Sequence, residues 1–173
     1  MVKRVISSRK SNRRVLAAGD AVKSHNPRKP EATSFLMSHV RATNTRMEIE
    51  LRSALHRAGY RFRKNVKHLI GVPDIVFLRE RVAVFVDGDY WHARILKEVG
   101  IDALRRSLKT ANREFWVAKL RRNHERDLFV TTELEQIGWL VVRLWESDIK
   151  RNVDDCLRKI VDAVEARRGA PTE

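Results

Sequence analysis

Two apolar segments with an acid at each open end constrain the fold of this chain more than any other feature. The segments, 74–78 and 82–86, read DIVFL and VAVFV, and the polar residues 79–81 join them. Short runs rich in β-branched residues around a polar connection predict a β-hairpin. If the turn centres on the last two connecting residues, Asp74 lies directly opposite Asp87, with the two Cβ atoms about 5 Å apart on one face.

Two carboxylates this close predict a metal site. They repel each other unless one is protonated or a cation lies between them, and oxygen ligands of this kind suit Mg²⁺, with Mn²⁺ as a substitute. The backbone carbonyl of Val86 would complete the oxygen shell. Each acid also has an ordinary structural explanation, since Pro-Asp before a strand is a common turn and Asp87-Gly88 is a common strand end.

His92 follows the hairpin on a short loop and is the candidate acid–base group. Its unperturbed pKa of about 6.5 lets it accept a proton from water or protonate a leaving 3′ oxygen. Two further acids are candidates to orient it or a metal-bound water. Glu48 begins a helix in a capping box with Thr45, and Asp127 lies in line with the apolar stripe of a longer helix.

The charge of the chain indicates a polyanionic partner. The chain has 36 Lys and Arg against 22 Asp and Glu, a net charge of +14, so nucleic acid is the first candidate and an acidic membrane surface the weaker one. No apolar run approaches the roughly 18 residues of a membrane span, and the N-terminus lacks an apolar signal segment, so we expect a cytoplasmic, nucleoid-associated protein. The single cysteine, Cys156, excludes internal disulfides and multi-cysteine zinc sites.

We predict one α/β domain with a central mixed β-sheet, a hairpin core and flanking helices. Residues 1–35 form a basic arm that is either a flexible DNA-binding segment or a solvated tail, residues 36–168 form the domain and 169–173 a tail. The patterns predict helices over 45–58, 114–137 and 153–167, strands over 60–65 and 139–144, the latter parallel to the hairpin, and an exposed, partly helical connection over 93–113.

Tyr90 and Trp91 leave the predicted sheet beside charged residues. Single aromatic residues are most often part of the core, but next to a charged loop they could also stack on bases or intercalate at a base step. Asn123, Arg126 and Asp127 share one face of the long helix, at spacings of three and four residues, and we predict that Asn123 and Arg126 contact DNA.

Several motifs in order resemble the very short patch repair (Vsr) endonucleases. The resemblance implies their fold, a variant of the restriction-endonuclease-like PD-(D/E)xK architecture. Residues 37–48, MSHVRATNTRME, are similar to that family's N-terminal signature, GVPD at 71–74 matches its strand with the essential aspartate, and FVDGDYWH at 85–92 resembles its FVDGCFWH segment. Further matches follow in the family's order and spacing: FW at 115–116, NHERD at 123–127, GW at 138–139 and LWE at 144–146.

The resemblance implies specific roles. Asp74 and the Val86 carbonyl would bind Mg²⁺, His92 would be the general base, and Glu48 and Asp127 would support the site. Asp87 stands at a position that is Asp or His in the family. Tyr90 and Trp91 would wedge beside a T:G mismatch in double-stranded DNA, with Met37 near the residue inserted from the opposite groove. Arg41 is a further predicted DNA contact, and a monomer would nick the strand 5′ of the mismatched thymine.

One departure is large. The family's structural zinc is held by cysteines and a histidine, whereas Asp89 stands at the first cysteine position and Ser147 at the last, so we predict no zinc. Because that zinc braces the loop with the aromatic pair, mismatch specificity is open. A homing-type, mobile-element or defence endonuclease that cuts unmismatched DNA is the alternative, as is a catalytically silent DNA-binding module.

Overall fold

The computed structural model describes residues 44–169 as a three-stranded sheet with helices on both faces. The predicted arm at 1–35, Met37, Arg41 and residues 170–173 lie outside the described residues. The elements are α1 (Arg46–Arg57), β1 (Ile75–Phe77), β2 (Val82–Asp87), α2 (Arg94–Glu98), α3 (Ile101–Ser107), α4 (Arg113–Gln136), β3 (Leu140–Trp145), α5 (Glu146–Arg151) and α6 (Val153–Gly169). None of the helices within 44–169 is long and apolar enough to cross a membrane.

The sheet has the order β1-β2-β3 and is mixed, because β2 pairs antiparallel with β1 and parallel with β3. The predicted hairpin, its parallel neighbour and the α/β class are confirmed. Strand β2 lies in the middle and is buried along nearly its whole length. Helices cover both faces, as expected for a sheet with a parallel crossover connection.

The predicted register of the hairpin is wrong by two residues. Ile75 pairs with Val84 and Phe77 with Val82, so Asp74 lies beside Phe85 instead of Asp87. The predicted pairing would have set the exposed Arg79 opposite Val82, which is fully buried. The chain instead makes a four-residue turn over 78–81, and because a shift of two preserves the face, Asp74 and Asp87 remain on the same side of the sheet.

Strand alternation divides the apolar residues into two layers. One face of the sheet packs on α1 and α6 through a cluster that includes Leu51, Phe77, Val84 and Ile160. The other face packs on α4 through a cluster that includes Val76, Ala83, Phe85 and Leu134. Helix α4 therefore crosses the same face on which Asp87 projects.

Local signals predicted three helices and missed other features. Thr45 and Glu48 form the predicted capping box at α1, α4 lies within a residue of its predicted bounds, and Asn152 caps α6. The predicted strand over 60–65 is wrong, since that segment makes only an isolated bridge from Arg63 to Val76. The segment over 93–113 is not simply an exposed connection, because Ala93, Leu104 and Leu108 are buried in one cluster with residues of α4.

Candidate active site

A histidine–carboxylate pair lies beyond the carboxyl end of β2. Asp127 reaches this end from α4, where it continues the buried stripe, and its side chain is almost fully buried. The Nδ1 atom of His92 lies 2.7 Å from Asp127 Oδ2. The ring is held there by a loop that turns back after Gly88, since the His92 amide donates to the Gly88 carbonyl at 3.0 Å.

The pairing with Asp127 determines which ring nitrogen of a neutral His92 carries the proton. Burial acts to raise the pKa of Asp127, but the hydrogen bond from His92 and the charge of Arg143 lower it below its ordinary value. An ionised carboxylate only accepts hydrogen bonds, so Nδ1 of His92 carries the proton. In the neutral ring Nε2 then has a free lone pair, which is the requirement for a general base.

Arg143 on β3 joins the two buried acids of the site. Its guanidinium donates to both oxygens of Asp87 at 2.7 Å and lies 3.1 Å from Asp127 Oδ1. The parallel pairing of Phe85 with Arg143 brings the side chain over the Phe85 ring, at 4.7 Å from its centroid. Sequence reasoning missed Arg143, although an arginine inside the apolar run LVVRLW is a signal, because buried arginines are almost always paired.

Lys97 is a second cation that the sequence analysis missed. Its Nζ atom lies 3.6 Å from Asp87 Oδ2 and 4.0 Å from Asp127 Oδ2, and over the ring of Trp145 at 4.7 Å. Together with Arg143 it supplies two positive charges for two carboxylates. The carboxylates of Asp87 and Asp127 are therefore neutralised by the protein itself.

Asp74 is in a different electrostatic position. Its Oδ2 accepts a hydrogen bond from the Val86 amide at 2.8 Å. Burial raises the pKa of Asp74 to about 6, and the charges of Glu48 and Asp87 contribute to that increase. Among residues 44–169, no basic side chain comes within 4 Å of this carboxylate, in contrast to Asp87.

The Val86 peptide supports a cation site at Asp74. In a strand the N–H and C=O of one residue point to the same side, so the Val86 carbonyl leaves β2 on the side of Asp74, where β1 has not yet begun. A desolvated, uncompensated carboxylate beside a backbone carbonyl fits a hard divalent cation. Ligand atoms of Asp87, His92 and Asp127 also come within 4.8 Å of one another, but Arg143 and Lys97 already neutralise that group.

Among residues 44–169, the hydrogen bonds of Glu48 are all made at the start of α1. Its oxygens accept hydrogen bonds from the amides of Asn44 and Thr45 and from Arg52 Nη1 at 3.0 Å. Its charge nevertheless acts on Asp74 by raising the pKa of that acid. The predicted contribution of Glu48 to the site stays a prediction, and its direct contacts are those of a helix cap.

Four aromatic side chains form a cluster next to His92. Tyr90 and Trp91 pack edge to face at 5.1 Å, and both lie about 6 Å from Trp116 at the start of α4, which also contacts Phe115. Lys119 lies over the rings of Trp91 and Trp116. Tyr90 and Phe115 are about half exposed, so the cluster presents aromatic surface and a positive charge together.

Asn123 and Arg126, both predicted to contact DNA, differ in their surroundings. Asn123 Nδ2 donates to the Trp91 carbonyl at 2.9 Å and so holds the aromatic loop. Arg126 is largely exposed and lines an open cleft of about 410 Å³ together with His92, Asp127, Arg143, Ile70, Val72 and Phe129. His92 and Asp127 are therefore accessible from this cleft.

Comparison with known proteins identifies the family. Residues 26–98 match the family model for the DNA mismatch endonuclease Vsr. The type II nicking enzyme V.NmeDIP of Neisseria meningitidis serogroup C is 37% identical over 140 residues, which cover 81% of this chain and 90% of that protein. This chain belongs to the Vsr family of DNA endonucleases.

Two other relatives show how broadly the Vsr similarity extends. The type II nicking enzyme V.NaeI of Lentzea aerocolonigenes is 40% identical over 129 residues, covering 72% of this chain and 71% of that protein. The DNA mismatch endonuclease Vsr of Escherichia coli K12 is 31% identical over 114 residues, covering 66% and 69%. The family assignment confirms the resemblance drawn from the ordered motifs.

Asp89 and Ser147, which the resemblance places at zinc-ligand positions of the family, contact each other, and the absence of zinc stays a prediction. Asp89 and Ser147 are hydrogen bonded to each other, with the Ser147 amide donating to Asp89 Oδ2 at 3.0 Å. Structural zinc sites mostly use thiolate and imidazole ligands, and the only cysteine of the chain, Cys156, lies on α6 with its side chain buried in the core.

Proposed function

We propose that this Vsr-family endonuclease acts as a monomer on double-stranded DNA and uses Mg²⁺ to nick one strand 5′ of the thymine of a T:G mismatch. The observation that carries the proposal is the His92–Asp127 pair, whose Nε2 is free to take a proton at the edge of an open cleft. The names of relatives as nicking and mismatch endonucleases support the same activity.

Asp74 and the Val86 carbonyl would hold the cation, with Asp87 next to them. When bound, a divalent cation would neutralise negative charge that develops on the phosphate during hydrolysis. The raised pKa of Asp74 supports this assignment, because a bound cation would stabilise the ionised carboxylate that burial otherwise disfavours.

His92 and Asp127 carry out the proton transfer in this proposal. Nε2 of His92 removes a proton from the attacking water, whose oxygen forms the new bond to phosphorus while the bond to the 3′ oxygen breaks. Asp127 keeps the ring in the correct orientation and stabilises the imidazolium that forms. Arg143 holds Asp127 and Asp87 in place, since its guanidinium contacts both.

Aromatic and basic groups would bind the DNA. Tyr90 and Trp91 lie on the loop that ends at His92, so a base step wedged open by these rings would lie close to the reacting phosphate. Arg126 in the cleft and Lys119 over the rings provide positive charge for the backbone. Met37 and Arg41 remain predicted DNA contacts outside the described residues.

A cleavage assay on matched duplexes tests the proposal. Duplexes that differ only in T:G against T:A are incubated with Mg²⁺, and we expect one strand of the T:G duplex to be nicked. Asp74→Ala and His92→Ala should lose cleavage, whereas Asp102→Ala and His68→Ala, at exposed positions that do not line the cleft, should retain it.

The other outcomes of that assay separate the alternatives. Equal rates on both duplexes would replace mismatch repair with an endonuclease of the homing, mobile-element or defence type. Salt-sensitive binding with no nicking in Mg²⁺ or Mn²⁺ would indicate a catalytically silent DNA-binding module. Full activity of Asp74→Ala would remove Asp74 from the metal site.

A further inference from the structure

One arginine connects the two ends of the aromatic loop to a neighbouring helix. The Nη1 atom of Arg94 lies 3.2 Å from Asp89 Oδ1, 2.6 Å from Ser147 Oγ and 3.0 Å from Asp148 Oδ1. Its Nε donates to Glu98 at 2.7 Å, and its guanidinium lies over the ring of Trp145. We call Asp89, Arg94, Ser147 and Asp148 the Arg94 clamp.

The clamp joins segments that leave adjacent parallel strands. Asp89 and Arg94 follow β2, whereas Ser147 and Asp148 lie in the first turn of α5, directly after β3. Ser147 is bound twice, because its amide donates to Asp89 Oδ2 and its hydroxyl donates to Asp89 Oδ1 while accepting from Arg94. The two strand ends are therefore fastened together beyond the sheet.

The proposed general base and the two aromatic residues proposed to open a base step lie between the two clamp residues of the loop. Tyr90, Trp91 and His92 lie between Asp89 and Arg94, and the Arg94 amide also donates to the Asp89 carbonyl at 2.9 Å. Ala93 has a positive φ of 53°. This conformation is unfavourable for any residue other than glycine. A conformation of this kind persists only where surrounding contacts hold it.

The charges of the clamp are mutually stabilised. Burial acts to raise the pKa of Asp89, but hydrogen bonds from Ser147 and Arg94 bring it below its ordinary value. Burial acts to lower the pKa of Arg94, and its bonds to Asp148, Glu98 and Asp89 raise it above the ordinary arginine value. The lowered pKa of Asp89 and the raised pKa of Arg94 both mean that the ionised forms are favoured in the folded protein.

We propose that Arg94 is a positioning residue that orders the Tyr90–His92 loop without a metal, and that mismatch discrimination depends on it. A guanidinium suits this task because Nη1 contacts the other clamp residues while Nε bonds Glu98 and the planar group lies over Trp145. A lysine ammonium is a single point charge, which cannot make the clamp contacts, the bond to Glu98 and the contact with the ring at once. The part of the proposal that concerns mismatches rests on the proposed function, whereas the ordering of the loop does not.

The test combines hydrogen exchange with cleavage kinetics on the full chain. In Arg94→Gln we expect amide exchange over 88–94 to increase tenfold or more without DNA, while exchange in the middle of α4 and α6 is unchanged. Preference for T:G over T:A duplexes should fall at least tenfold, mainly through a higher KM. Arg94→Lys should not restore it, and added guanidinium should partly rescue Arg94→Ala.

Arg168→Gln is the matched control, because it removes one positive charge and an ion pair to Glu80, which precedes β2 and so lies at the opposite end of that strand from the loop. It should leave exchange over 88–94 and the T:G preference unchanged. Ser147→Ala is the milder clamp variant and should increase the same exchange by a smaller factor. Zinc chelators should leave the loop exchange of the wild type unaltered.

Two results would overturn the proposal: unchanged exchange over 88–94 in both Arg94→Gln and Ser147→Ala, or a wild-type loop that loses protection when zinc is chelated. A failure of the proposed function looks different. In that case the wild type does not distinguish T:G from T:A, while the clamp variants still increase the exchange of the loop.

Discussion

Replacing Asp74 with asparagine is expected to abolish cleavage and yet stabilise the metal-free protein at neutral and alkaline pH. The pKa of Asp74 is raised from 3.8 to about 6 in the folded protein, so folding favours the protonated acid. The contribution of this group to stability is present below pH 3.8 and is lost as the pH rises through about 6. Above that pH the ionised carboxylate destabilises the fold.

The size of the effect follows from the shift. A difference of about 2 pKa units corresponds to about 3 kcal/mol, and since Asp74 is only partly buried, solvent screening reduces this to about 1–3 kcal/mol. Asparagine has nearly the same shape and keeps an oxygen that can accept the hydrogen bond from the Val86 amide. The gain should be complete at pH 8, about half as large at pH 5 and negligible at pH 3.

Urea denaturation in EDTA at several pH values measures this prediction. Asp102→Asn is the control, because that carboxylate is exposed and its substitution should change the free energy of unfolding little at any pH. Added Mg²⁺ should then stabilise the wild type at pH 8 and have much less effect on Asp74→Asn, since binding to the folded state alone shifts unfolding by mass action.

The reasoning would be refuted if Asp74→Asn were less stable than the wild type at pH 8 in EDTA. That result would mean that the carboxylate makes favourable interactions that exceed the cost of its burial. A gain in stability that does not change between pH 5 and pH 8 would also contradict it, because titration of Asp74 would then not be the cause.

Three other substitutions have definite expected outcomes. Arg143→Met should lower the free energy of unfolding, measured in urea, by about 3 kcal/mol. Among residues 44–169, the buried Asp87 would then keep only Lys97 and His92 as partners. A decrease below about 1 kcal/mol would disprove the pairing. Asp127→Asn should lower kcat by about 10²–10⁴-fold with little change in KM; an unchanged kcat would exclude a role for the His92–Asp127 pair. Val72→Gly should raise the free energy of unfolding by about 1 kcal/mol, because Val72 has a positive φ of 52°, and destabilisation would show that its side-chain packing outweighs the backbone strain.

Residues that act through local spacing were predictable from the sequence. The capping box of Thr45 and Glu48 depends on residues three apart, and Asp127 belongs to the same helical stripe as the buried Leu134. Such patterns fix which side of a helix a residue occupies before any tertiary contact is known. The prediction that Asp127 approaches His92 followed from that stripe and from the ordered family motifs.

Residues that act across strands were not predictable in the same way. Arg143 meets Asp87 only because β3 pairs parallel to β2 with Phe85 beside Arg143, and the sequence of either strand does not specify that register. Lys97 reaches the same carboxylate from α2, a helix too short to give a clear periodic signal. The predicted register of the hairpin was wrong for a related reason, since the turn lacks the residues that would specify a two-residue connection.

The distribution of charge divides the site into two parts with different requirements. Asp87 and Asp127 are balanced by Arg143 and Lys97, so this half of the site has its geometry before any cation arrives. Asp74 lacks such a partner within residues 44–169, and burial, with the charges of Glu48 and Asp87, keeps its pKa high. Cation binding should therefore be most favourable at Asp74, where it removes the free-energy cost of burying an ionised carboxylate. It should be least favourable among Asp87, His92 and Asp127, where a cation would compete with two basic side chains. This asymmetry favours a single cation beside the Val86 carbonyl, with His92 left free to move the proton.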